Sequence, residues 1–74
     1  MTAQEYRDTI ARLGLSQSAA ARLLGVEVRT SQRWADPDPV RGRDIPPPAA
    51  RFLLWMVHTN ATPADVHAAL DGAS

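Results

Sequence analysis

The sequence predicts an all-α protein of five short helices. Three observations predict it. Apolar residues recur at helical spacing, as in Ala3, Tyr6, Ile10 and Leu13. Punctuation at Gly14, Gly25, Asp36-Pro37-Asp38-Pro39 and Asn60 divides the 74-residue chain into segments of helix length. No stretch alternates apolar and polar residues as a half-buried strand does. The length allows one domain, residues 1 to 74. A domain this small buries only about 60% of its unfolded surface, so few core positions are to spare.

Each element has its own start and stop. Thr2-Ala3-Gln4-Glu5 reads as a capping box, with Thr2 as N-cap and Glu5 reaching back. Gly14 ends this first helix, because glycine accepts the left-handed conformation at C′. Ser16 is a good N-cap for a second helix, Ala19-Ala20-Ala21-Arg22-Leu23-Leu24 is strong helix former throughout, and Gly25 stops it. A third helix is expected from about Val28 to Ala35, ended by the two prolines that follow. Residues 36 to 47 form a loop around Arg41-Gly42-Arg43, closing on a short polyproline II spacer whose last residue, Pro48, starts a fourth helix over residues 48–59. Thr62-Pro63-Ala64-Asp65 is another helix N-terminus, and the fifth helix is expected over residues 63–71 with Gly72 after it.

Formal net charge is zero, which counts against nucleic-acid binding, since such domains are often basic. The distribution is more informative. All eight basic residues are arginine, and six of them, Arg22, Arg29, Arg33, Arg41, Arg43 and Arg51, fall in the middle of the chain. GC-rich codon usage accounts for the absence of lysine and the many alanines but not for that clustering. Arginine presents a planar fork of donors suited to phosphate and to guanine edges. The absence of cysteine excludes disulfides and thiolate metal sites and suits a reducing compartment. The first residues lack the basic region and apolar run of a signal peptide. The longest apolar run, Phe52 to Val57, is far short of the roughly 20 residues that span a membrane. A cytoplasmic protein without membrane contact is the expectation.

The informative constellation runs from Ser16 to Ala35. Ala21 is small where the second and third helices cross most closely, and Gly25 supplies the backbone freedom of the turn between them. Ala20, Leu24, Val26 and Trp34 supply the apolar contacts that set the angle. Val28, Arg29, Gln32 and Arg33 are left on the outer side of the third helix. A short, braced helix with a polar, arginine-bearing face is what docking into a DNA major groove requires.

On these residues the chain resembles the helix-turn-helix family of Cro and phage-repressor (XRE-like) type. That family runs Gln, Ala four residues on, Gly after another four, an aliphatic next and an apolar residue near the end. Gln17, Ala21, Gly25, Val26 and Trp34 stand in those places. The likeness is strongest in Ala21-Arg22-Leu23-Leu24-Gly25-Val26 and Gln32-Arg33-Trp34. It extends weakly to Pro47-Pro48-Ala49-Ala50-Arg51-Phe52-Leu53-Leu54, covering roughly residues 4 to 58. The resemblance implies a lambda-repressor-like domain that binds double-stranded DNA, with Gln17 and the backbone amide at the start of the second helix on a phosphate. One position departs from the pattern: Ser31 stands where the family carries an aliphatic residue. Its hydroxyl is expected to bond back to the carbonyl of Glu27, with Trp34 filling the space.

Roles follow as expectations. Arg29 is the first candidate for a bidentate contact with guanine, Arg33 grips a base or a phosphate, Gln32 touches either, and Val28 meets a thymine methyl. Ser16, Gln17 and Thr30 are candidate DNA-backbone contacts, and Arg41 and Arg43 are candidate grips on the backbone or an adjacent minor groove. Glu27 suits the helix dipole but repels phosphate, or accepts from a cytosine amino group. Phe52-Leu53-Leu54-Trp55-Met56-Val57 is apolar all round its helix, and one face suffices for a small core. Trp55, with Val66 and Leu70 of the last helix, is therefore expected at a homodimer interface.

Catalysis, cofactor and metal binding are not expected. His58 and His67 stand nine residues apart with no nearby carboxylate pair at ligand spacing, no glycine-rich phosphate loop occurs, and Ser16 and Ser18 serve as cap and surface. The resulting expectation is a sequence-specific transcriptional regulator, a repressor acting as a homodimer on a promoter operator. The alternatives are a protein-interaction module that keeps the fold, and the DNA-binding antitoxin of a toxin–antitoxin pair, with a toxin or other protein as partner.

Overall fold

Helices α1 (Ala3–Arg12), α2 (Gln17–Leu24), α3 (Val28–Ala35), α4 (Pro47–Thr59) and α5 (Pro63–Ala73) follow one another in a computed structural model that describes residues 1–73. No strand occurs among the described residues. The N-termini read at Thr2, Ser16 and Thr62 form as expected. The Thr2 side chain accepts from the Glu5 amide at 3.1 Å and the Thr2 amide donates to the Glu5 carboxylate at 3.1 Å. That backbone bond, followed by the Thr2 hydroxyl, holds the Glu5 carboxyl below its ordinary value. Thr62 and Asp65 repeat the arrangement at the start of α5, with the same effect on Asp65. Ser16 caps α2 by accepting from the Ala19 amide at 3.0 Å.

Three helices end in one way. Gly14, Gly25 and Asn60 take left-handed backbone angles, with φ of 75°, 72° and 59°. The next residue's amide then reaches back five positions: Leu15 to Ile10, Val26 to Ala21, and Ala61 to Met56, at 2.8–3.1 Å. This closure satisfies carbonyls that a helix end would leave bare. It also turns Leu15 and Val26 back onto the core, against which both pack.

Two boundaries differ from the sequence reading. Helix α4 begins at Pro47, one residue earlier than expected, with Pro46 alone in the extended conformation as its N-cap. The first amides of a helix have no partner within it, so prolines at the first two positions remove nothing. Helix α5 continues through Gly72 to Ala73 rather than stopping at Asp71. Glycine costs a helix about 1 kcal/mol relative to alanine, which a last turn tolerates. It ends a helix only where the left-handed conformation is taken, and Gly72 does not take it.

The core draws on every element from α1 to α4. Tyr6 and Ile10 of α1, Ala20 of α2, Trp34 and Ala35 of α3, and Ala50 and Leu53 of α4 form one buried cluster. Ile45 joins it from the connection the sequence marks as loop. Ala21 and Leu23 are also buried on α2. Tyr6 and Trp34 meet edge to face, with centroids 5.8 Å apart and planes at 85°.

Ser31 corrects an expectation. Its hydroxyl does not turn back to Glu27, whose carbonyl instead accepts the amides of Thr30 and Ser31 at 3.0 and 3.2 Å. Ser31 is wholly buried and shares a 2.6 Å hydrogen bond with the Tyr6 hydroxyl, so Tyr6 rather than Trp34 fills the place of an aliphatic side chain. Burial raises the Tyr6 pKa, and the bond to Ser31 partly opposes that rise.

This pair generates a prediction. Tyr6→Phe or Ser31→Ala strands one buried hydroxyl, and each should cost about 1–3 kcal/mol. The double variant removes both hydroxyls and should cost less than the two singles together. Urea denaturation of the four proteins checks this. Strict additivity would mean that the hydroxyls do not depend on each other.

Candidate nucleic-acid interface

Helix α3 is only eight residues long and buries one side completely: Ser31, Trp34 and Ala35 face the core. Residues three and four apart share a helix face, so Val28, Arg29, Gln32 and Arg33 gather on the other side, and all four are exposed. Glu27 precedes the helix as an N-cap without a side-chain bond. Its exposed carboxylate lies at the positive end of the helix dipole. Helices α2 and α3 are joined by Gly25, Val26 and Glu27 alone. The left-handed Gly25 sets the direction of that turn.

The segment after α3 is an ordered turn built on two aspartates. The Asp36 carboxylate accepts the Asp38 amide at 3.0 Å. The Asp38 carboxylate accepts the amides of Val40 and Arg41 at 2.7 and 3.2 Å, and the Asp38 carbonyl accepts the Gly42 amide at 2.7 Å. Arg43 ties the turn back to α3, its amide donating to the Arg33 carbonyl at 3.2 Å. Gly42 is required by close approach: a Cβ there would collide with the backbone oxygens of Asp36 and Asp38.

The turn sets the two loop arginines. Arg41 lies 3.5 Å from the second oxygen of Asp36 and 3.4 Å from that of Asp38. Arg43 donates from Nη1 to the carbonyls of Val40 and Gly42 at 3.0 and 2.8 Å. Arg29, Gln32 and Arg33 of α3 line one open depression together with Asp36, Val40, Arg41 and Arg43. Five of the expected contact residues therefore share one surface. The others do not line it. Ser16 is engaged as a helix cap, Gln17 and Thr30 are half-buried, and Val28 is exposed at the first turn of α3.

In the sequence, Asp36-Pro37-Asp38-Pro39 reads as a helix stop, and nothing in it marks the carboxylates as partners of Arg41. The usable signal is that aspartate accepts backbone amides two residues on. Applied to Asp36 and Asp38, it yields the turn but not the ion pairs.

A second surface lies between α4 and α5. Phe52, Trp55, Val66, Ala69 and Leu70 line an apolar groove with Asp65 at its edge. Phe52 and Trp55 stack at 6.2 Å with 21° between planes. Trp55 and Leu54 are each 53% exposed and Leu70 58%. Trp55 is thus outside the buried core. Val66 is half-buried, and His58 and His67 are exposed and half-buried. Among the described residues no helix is long and apolar enough to cross a membrane. Compared with protein-family models, curated proteins and solved structures, the chain finds no match.

Gly42→Ala should lower stability by about 1–3 kcal/mol, because overpacking here meets backbone rather than a yielding side chain. Gly72→Ala, where a Cβ meets open space, is the control and should be neutral or slightly stabilising. Thermal denaturation compares the two. Equal midpoints would mean that the turn yields at no cost.

Proposed function

We propose that this chain is a sequence-specific, double-stranded DNA-binding transcriptional regulator. It acts in the cytoplasm as a repressor, occupying a promoter operator as a homodimer. In this reading the domain is lambda-repressor-like, α2 and α3 are its helix-turn-helix, and α3 enters the major groove. One observation carries it: α3 is braced by three buried residues while its exposed arginines and glutamine continue into the arginine-bearing turn. A braced helix with an arginine-bearing turn beside it suits base edges on the helix and phosphates at the turn's arginines.

The roles follow from position. Arg29 takes guanine O6 and N7, Gln32 and Arg33 read or grip beside it, and Val28 meets a thymine methyl. Arg43 holds phosphate beside the groove. Ser16 and Gln17 contact backbone at the start of α2, where unpaired amides and the helix dipole favour an anion, and Thr30 does so with its side chain. One short helix reads few bases, so two copies acting on two half-sites about one helical turn apart supply the affinity. The α4–α5 groove, with Trp55, Val66 and Leu70, is the surface that a second copy covers. A protein-interaction role draws support from the carboxylates paired with Arg41 and from the zero net charge. It predicts no salt-dependent DNA binding.

Fluorescence anisotropy of the chain with DNA from its gene's own upstream region, beside a scrambled duplex, tests the reading. Preferential binding should weaken with salt at a slope near −0.9 per phosphate neutralised. Binding to neither duplex at low salt would turn the reading to a protein partner. Arg29→Ala should cost about 1–3 kcal/mol and relax specificity at one base position; an equal loss on all sequences would make Arg29 a phosphate contact. Trp55→Ala should shift sedimentation towards the monomer with little loss of monomer stability. An unchanged mass would remove Trp55 from the dimer interface.

A further inference from the structure

We infer that Asp36 and Asp38 act as an electrostatic guard on the candidate DNA face, holding Arg41 paired until a correctly seated duplex takes it. The inference rests on the DNA-binding reading and adds a discriminating role for the loop. Each carboxylate is divided between two tasks. One oxygen accepts backbone amides and holds the turn, and the other faces the Arg41 guanidinium. The carboxylates are therefore fixed. They are also the sheltered partners, with side chains 28% and 36% exposed against 73% for Arg41. The backbone bonds from Gly42 to Asp38 and from Arg43 to Arg33 hold the turn around them.

This asymmetry decides what can move. An exposed ion pair contributes little to stability, so Arg41 can leave its carboxylates at small cost. The carboxylates cannot leave; Asp36 stands in the same depression as Arg29, Arg33 and Arg43, and Asp38 borders it through Arg41. A phosphate entering there meets arginine donors and fixed negative charge together. A duplex in register, seated by base contacts from α3, places a phosphate where Arg41 can take it, and that contact relieves the repulsion. A duplex out of register leaves Arg41 on its carboxylates and meets the repulsion unrelieved, so it loses more affinity than the seated duplex does. The loop thereby widens the ratio between specific and non-specific binding by a repulsive element against the wrong partner.

The test is the double variant Asp36→Asn, Asp38→Asn. Asparagine keeps the oxygen that accepts the turn amides and removes only the charge. Anisotropy is measured with the upstream-region duplex and the scrambled duplex across a salt series, with circular dichroism as the check on folding. Scrambled-duplex affinity should rise roughly threefold per carboxylate at low salt. The upstream duplex should gain less, and the scrambled-duplex salt slope should steepen by about 0.9 as Arg41 becomes free to neutralise a phosphate. Adding Arg41→Ala to the double variant should return the slope to the wild-type value. Asp36→Asn alone leaves the Asp38 turn bonds untouched; should the double variant fail to fold, this single variant still predicts about half the logarithmic gain. Equal gains on both duplexes, or none, while the wild-type protein keeps its salt-dependent preference, would overturn the guard and leave the DNA reading standing. A wild-type protein that binds neither duplex would overturn both.

Discussion

The setting of α3 about its own axis is the constraint on which the rest of the molecule depends, and the hydrogen bond between the Tyr6 and Ser31 hydroxyls enforces it. Both groups are fully buried. A buried hydroxyl without a partner is costly, so each restricts where the other can sit. Apolar packing alone is more tolerant, because a helix rotated by a small angle buries nearly the same area. A 2.6 Å hydrogen bond is not tolerant in this way. The edge-to-face contact of Tyr6 with Trp34 adds a second point of attachment one turn further along α3. With Ser31 and Trp34 held to one residue of α1, Arg29, Gln32 and Arg33 have a single outward direction.

The same rigidity passes into the turn after α3. The Arg33 carbonyl accepts the amides of Asp36 and Arg43, so the turn starts and ends on the helix that carries the exposed arginines. Prolines at positions 37 and 39 limit the backbone, and the aspartate carboxylates satisfy the amides that the turn leaves bare. The turn thus holds its arginines by hydrogen bonds rather than by burial. Ile45, buried just beyond, anchors the far end of the connection in the core.

Helices α4 and α5 solve a different problem. Ala50, Leu53 and Met56 close the core from one side of α4, and the remaining apolar residues of that helix have nothing in their own domain to cover them fully. Phe52 is half-buried, and Leu54 and Trp55 are left half-exposed. A chain of this length has little apolar surface to spare. Leaving a stacked Phe52–Trp55 pair at the rim of a groove makes sense when a further protein surface completes the burial.

Most of the fold was legible in the sequence because its signals are local. Capping boxes, left-handed glycines and helical spacing act within a few residues, so Thr2, Ser16, Gly14, Gly25 and Asn60 mark their helix ends without reference to anything distant. The proline run placed the start of α4 to within one residue. Gly72 was misleading because a glycine permits a helix end without requiring it. The outward face of α3 was legible for the same local reason: positions 28, 29, 32 and 33 follow from helical spacing. What the tertiary structure alone decided are the contacts made across long stretches of chain. These are the pairing of Ser31 with Tyr6, 25 residues away, and the burial of Ile45 from within a loop. The joining of Arg29, Gln32 and Arg33 to Arg41 and Arg43 on one surface belongs with them. The partnering of Asp36 and Asp38 with Arg41 is short in sequence, yet it too depended on how the turn folds against α3. A sequence states which groups need partners; which partners they obtain depends on packing that no single segment determines.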